Sequence, residues 1–238
     1  HAPLRTLSEA VLLLRPGAGD VLLATSGSEH VPFREEVDLL PQSGGTPHAP
    51  TVLRAWPGRS PPVLDGELSG SPGQPGMAIG LHVGASWVQI EGFITRRYTD
   101  SCIDLSGGTG NALVDCVAED CGRHGLFVYY APRSTLVDPR VRRAAAQGIS
   151  VRSSPGTAIL GGISIDNGID GLLLLHDSDD VVVRGFTARG NERGVAFTTG
   201  SNRGRVIDGQ LDGNRQGGIV VEPDADATAL RSGELKVQ

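Results

Sequence analysis

The residues of this chain best able to do chemistry share one register. His82, Asp104, Phe127, Ser150 and Leu173 each hold the third place of a short alternating segment, while Ser106, Tyr129, Arg152 and Leu175 hold the fifth. Tyr130 and His176 follow in the sixth place, and His124 stands just ahead of the segment that begins at Gly125. An arginine such as Arg152 can neutralise a substrate carboxylate, which eases loss of a proton from the carbon beside it. His82 and His124 are candidate bases for that proton, and Tyr129 or Tyr130 can serve as base or acid. Asp104, one segment on from His82, is placed to orient the imidazole. Phe127 and Tyr130 offer ring faces to the substrate, and His176 extends the same surface. Arg96, followed by Arg97 and Tyr98, is a candidate clamp. Asp104 is the one acid that this column reading puts clearly on the outward face.

The elements that position these residues come from a repeat. Cys102, Gly125, Gly148, Gly171, Gly194 and Gly217 fall 23 residues apart. The apolar pairs Ile103 and Leu105, Leu126 and Val128, Ile149 and Val151, Leu172 and Leu174, and Val195 and Phe197 then point inward as ladders. Further apolar patches, at Leu113-Val114, Leu136-Val137, Ile159-Leu160 and Val181–Val183, then around Val117, Ile163–Ile165 and Phe186, close each coil. A fixed period with short strands predicts an all-β, right-handed parallel β-helix, in which each coil buries its apolar face against its neighbours. Polar turns at Asp166-Asn167-Gly168, Gly190-Asn191 and Gly213-Asn214 suit left-handed corners.

One single-domain body over 1–238 is expected. Residues 1–19 supply an N-terminal cap helix, which Thr6 starts and which runs to about Arg15 before Pro16-Gly17. Residues 20–78 form irregular first coils, with strands at 20–24, 37–40, 51–55 and 63–65 and long loops at 42–50 and 67–76. Regular coils occupy 79–221, and 222–238 form a C-terminal cap or tail.

Composition narrows the function. A net charge of −6 and a pI near 5.5 argue against a nucleic-acid partner, which needs a basic surface. The apolar run at 10–14 is too short to span a membrane, and no signal peptide is visible. Three cysteines without CxxC spacing read as small buried side chains. Lys236 is the only lysine among 21 basic residues, so no coil has lysine chemistry. Arg133, Arg140, Arg142 and Arg143 form a basic stretch able to guide a polyanion. Asp177, Asp179 and Asp180 resemble an acidic turn of the kind that takes Ca2+; no other metal site is expected.

Thr6-Leu7-Ser8-Glu9-Ala10-Val11, the stretch from Arg15-Pro16-Gly17 to Ala24, Ala49 to Gly58, Pro62 to Gly66 and Val88 to Phe93 resemble the opening coils of secreted pectate-lyase-like β-helix proteins. The likeness runs from about Leu4 to Gly218. That superfamily implies polysaccharide lyases, uronate epimerases, glycoside hydrolases and non-catalytic sugar binders, outside the cell or in the periplasm, with a cytoplasmic location as the alternative. Its lyases often pair a lysine base with an arginine, sometimes with calcium, and this chain departs from that version. Arg123-His124-Gly125 only partly echoes the Gly-His-Gly of the polygalacturonase group. The expectation is an enzyme, more often monomeric than oligomeric, acting on an acidic polysaccharide as lyase or epimerase. Rivals are a hydrolase, which lacks its second outward carboxylate here, a non-catalytic glycan-binding scaffold, and a small-molecule enzyme of secondary metabolism.

Overall fold

A computed structural model describes residues 4–26, 31–67 and 76–230, with 229 and 230 described by backbone only. The loop expected at 67–76 and the tail beyond 230 lie largely outside these residues. The chain winds as a parallel β-helix whose coils contribute to three sheets of nine, six and eight strands. Every strand pair within the sheets is parallel. The eight-stranded sheet carries the candidate site. Its rungs, in order, are Val37–Leu39, Leu81–Val83, Ile103–Ser106, Leu126–Tyr129, Ile149–Arg152, Asp170–Leu175, Arg193–Phe197 and Gly217–Val221.

The inward ladder lies where the alternation puts it. Ile103, Leu105, Leu126, Val128, Ile149, Val151, Leu172, Leu174, Val195 and Phe197 are all buried in one continuous core. The recurring glycines have a different cause from a turn. Gly125, Gly148 and Gly171 do not have positive φ; instead, a Cβ on Gly148 would lie 2.0 Å from Ser164 Oγ, and one on Gly125 would lie 2.2 Å from Val141 Cγ1. They let this sheet approach the six-stranded one. The left-handed corners fall on Asp166, Gly190 and Gly213, with φ of 56°, 71° and 71°. The asparagines beside them form a buried ladder, with Asn167 Nδ2 donating to Asn191 Oδ1 at 2.9 Å.

The close approach also corrects the third apolar patch. Thr95, Ala118, Val141, Ser164 and Ala188 face inward on the six-stranded sheet, whereas Ile163 is exposed. Small central residues fit the narrow corner, and the larger neighbours alternate outward. The cap helix is shorter than its periodicity suggests, spanning Leu7–Val11. Thr6 accepts from the Glu9 N–H, and the Glu35 carboxylate accepts from Leu7 and Ser8 N–H at 2.8 and 2.9 Å. Asp20 Oδ2 accepts from the Arg15 N–H and holds it outside the helix. Leu7, Ala10 and Val11 still close the open end of the core.

The cysteine expectation is half corrected. Cys116 is free and buried, but Cys102 and Cys121 form a disulfide, with Cα atoms 5.7 Å apart. Nineteen residues bring the chain almost once around the coil and back to the same corner, one rung on. Spacing motifs for metal sites are blind to that geometry.

Candidate functional site

Strand pairing turns the outward columns into a map. Asp38 pairs with His82, His82 with Asp104, Asp104 with Phe127, and Phe127 with Ser150. In the parallel column Ser106 pairs with Tyr129, and Tyr129 with Arg152. Successive rungs stack about 4.8 Å apart, so His82 and Arg152 lie roughly 14 Å apart along the axis. The candidates therefore form two groups and cannot all act at one carbon.

The first group is Asp38, His82, Asp104 and Ser106. Asp38 Oδ1 lies 3.1 Å from His82 Nδ1. Asp104 is only 7% exposed and accepts a hydrogen bond from the Ser106 hydroxyl. Burial raises its pKa above the ordinary carboxylate value, against the opposing pull of Ser106 and His82. Asp38 is the residue that the column reading missed, and it overturns the statement that Asp104 is the one outward acid. The signal was present: Val37-Asp38-Leu39 repeats the in–out–in pattern of Leu81-His82-Val83.

The second group is a row of rings ending at a cation. His124 stacks on Phe127 at 4.9 Å, Phe127 on Tyr129 at 5.4 Å, and Tyr129 meets Tyr130 at 4.4 Å. The Arg152 guanidinium carbon sits 5.3 Å from the centre of the Tyr129 ring. Arg152 makes no ion pair among the described residues. The other arginine of this sheet, Arg193, is bound to buried Asp170 at 2.6 Å. His124 is 5% exposed, and its Nδ1 is buried without a hydrogen-bond partner. Burial, with help from Arg123, pushes its pKa down to about 4, so the ring is neutral. Tyr130 is 59% exposed at the rim, and His176 follows Leu175, the residue that pairs with Arg152.

Other candidates are committed elsewhere. Arg96 belongs to the six-stranded sheet, where it and Arg97 bind the buried Asp65 carboxylate, each through Nε at 2.8 Å. It does not join the site sheet. Arg142 and Arg143 face Glu119 and Asp120, so their stretch is locally neutralised. Asp180 and Asp179 turn their oxygens to Arg203, at 2.8 and 3.1 Å. Among the described residues, no group of three or more His, Cys, Asp or Glu is arranged to hold a metal ion.

The sequence pattern described as "Right handed beta helix region" matches residues 79–231. The chain belongs to that family. No curated protein sequence matches this β-helix protein. Among solved structures it resembles the A-module of the Azotobacter vinelandii mannuronan C-5 epimerase AlgE4, with a TM-score of 0.63 and 16% identity over 90% of this chain and 67% of that one. It also resembles pectate lyase Pel9A, with a TM-score of 0.61 and 14% identity over 96% and 73% of the two chains. An alginate lyase from Paenibacillus sp. str. FPU-7 gives 0.61 and 16% over 95% and 92%. At these identities the likeness establishes the architecture of the β-helix and leaves its chemistry to the site.

Proposed function

We propose that this β-helix protein cleaves an acidic, uronate-containing polysaccharide by β-elimination. The observation that carries the reading is the Arg152 guanidinium, which makes no ion pair among the described residues and is set over the Tyr129 ring. Arg152 binds the uronate carboxylate and stabilises the charge that develops when the neighbouring carbon loses its proton. Tyr129, on the adjacent rung, takes that proton as its phenolate beside the Arg152 cation, which displaces His82 from the role of base at this carbon. The C–H electron pair forms the new double bond, the bond from the β-carbon to the glycosidic oxygen breaks, and the departing oxygen takes up a proton from Tyr129 or Tyr130. The two tyrosines approach the sugar from one side, which favours elimination over epimerisation, where the returning proton must come from the other face. Asp104, His82 and Asp38 then bind sugar hydroxyls two or more rungs away.

The solved structures named above include two lyases and an epimerase of such glycans, which supports the substrate class. The disulfide supports an oxidising compartment, hence secretion or the periplasm. No described helix is long and apolar enough to cross a membrane.

The test is ultraviolet detection of the unsaturated product across a panel of uronate glycans, with the Arg152→Ala variant in parallel. Product from wild type that disappears in the variant is expected. Release of reducing ends without new ultraviolet absorbance would replace this reading with hydrolysis. Asp38 and Asp104 give hydrolysis its specific support, because two rungs place their backbones about 10 Å apart, near the separation of inverting glycosidase carboxylates.

A further inference from the structure

The outward face of the eight-stranded sheet is electrically lopsided along the axis, and this bears on which acidic glycan it accepts. Arg152 is the cation of that face with no carboxylate partner among the described residues. Asp104 stands two rungs toward the N-terminal end and Asp38 four rungs, about 10 and 19 Å away. Asp104 is buried, so solvent screens it little. Asp38 has a side chain 62% exposed and acts more weakly. His82, 3.1 Å from Asp38 Oδ1, offsets the acids only when it is protonated, and Arg123 is already paired. Asp100 faces Arg123 at 3.7 Å, and the Glu36 carboxylate accepts from the Ala78 and Ile79 N–H groups. The molecule as a whole, at a net charge of −6, adds no long-range attraction for a polyanion.

A glycan advances by roughly one rung per sugar. An oligomer with one uronate on Arg152 that extends toward the N-terminal rungs therefore lays its next residues over Phe127, Asp104 and His82. In a homopolyuronate every one of those sugars carries a carboxylate, and one of them meets Asp104. Like charges in close, poorly solvated contact are strongly unfavourable. Sugars bearing only hydroxyl or amino groups meet the opposite situation, because they donate to the Asp104 and Asp38 oxygens.

We propose that the face selects a heteroglycan whose uronate, held by Arg152, is followed toward Asp104 by uncharged or amino-bearing sugars, and that it disfavours homopolyuronates. Discrimination of this kind comes from the repulsive element as much as from the attractive one. The proposal rests on the reading of Arg152 as the uronate clamp, and it adds the identity of the neighbouring sugars.

Binding, measured by calorimetry with size-matched oligosaccharides, tests it without relying on turnover. The probes are oligogalacturonate and oligomannuronate against neutral oligosaccharides of the same length that carry a single glucuronate at either end. Wild type is expected to bind the singly charged oligomers at least about tenfold more tightly, a difference well resolved in such titrations. Asp104→Asn and, independently, the exposed Asp38→Asn should each tighten binding of the homopolyuronates and narrow that gap. Homopolyuronates binding as tightly as the singly charged oligomers, or an unchanged gap in both variants, overturns the proposal alone. If no acidic oligomer of either kind binds wild type, the clamp reading fails and takes the proposal with it.

Discussion

Asp38 and His82 meet across a rung boundary, Oδ1 to Nδ1 at 3.1 Å, although 44 residues separate them in the chain. A carboxylate at Nδ1 fixes the neutral imidazole as the Nδ1–H tautomer and leaves Nε2 as an acceptor. Asp38 is thereby a positioning residue for His82. On the elimination reading both residues hold sugar remote from the reacting carbon. Asp38→Ala should then shift KM while kcat stays within about threefold. A loss of kcat of a hundredfold or more would instead mark Asp38 as one of a pair of hydrolytic carboxylates.

Arg152 should matter for turnover and little for folding. It is partly exposed, lies outside the core ladder and makes no ion pair among the described residues. Arg152→Ala is expected to lower kcat/KM by roughly 100- to 1000-fold, the scale seen when one charge-stabilising donor is removed. Arg152→Lys should recover only part of this, because an ammonium cannot reproduce a bidentate grip on a carboxylate. The check is steady-state kinetics beside a thermal melt. Wild-type activity in the alanine variant would remove the clamp from the mechanism.

The buried ladder makes the complementary prediction. Leu174 is fully buried between Val151 and Phe197 on the neighbouring rungs. Leu174→Ala should cost roughly 2–5 kcal/mol, from lost burial and the cavity left behind. Chemical denaturation measures it directly. An unchanged midpoint would contradict the register.

That register was legible because it depends on neighbouring coils alone. Leu174 follows Val151 by one period, and side-chain alternation decides its direction. The site was legible in half for the same reason. Phe127, Tyr129 and Arg152 sit in the strictly periodic coils, and their stacking follows from their columns. Asp38 does not, because the long excursion between the first and second rungs makes its distance from His82 no multiple of the period. The splitting of the candidates into two groups was likewise hidden. Residues in one column look equivalent in sequence, while distance along the axis decides which of them can share a substrate atom. Arg96 misled for a related reason: its buried partner Asp65 lies 31 residues away, on the neighbouring strand of the six-stranded sheet.

His124 predicts a pH dependence of stability. Its folded pKa is pushed from 6.5 down to about 4, chiefly by burial. Below about pH 6.5 the unfolded chain therefore takes up a proton that the folded chain refuses until about pH 4. Stability should fall as the pH drops across that window, by roughly 1–3 kcal/mol in all. Asp65 and Asp120 have lowered values, so their contributions are lost only at more acidic pH. Asp104 works in the opposite sense, since its raised value makes protonation favour the folded state. His124→Phe keeps a ring against Phe127 and removes the titration. Denaturant unfolding between pH 7 and pH 4 should show a flatter slope for this variant, and parallel slopes would assign the dependence to other groups.

The disulfide should act on both fold and site. Cys121 opens the turn that carries His124, and the Cys102 N–H donates to the His124 carbonyl at 3.1 Å. The bond therefore ties the His124 turn to the strand bearing Asp104. Replacing Cys102 and Cys121 together by serine should lower stability by about 3 kcal/mol, the loop-closure value for a bridge of this span. Reductant should lower the wild-type melting temperature and leave that of the double variant unchanged, because Cys116 is buried and unpaired. If the bridge also fixes the His124 turn, amide exchange in the double variant should rise first at 121–124, ahead of the strands on either side. Uniform protection there would limit the disulfide to a global contribution.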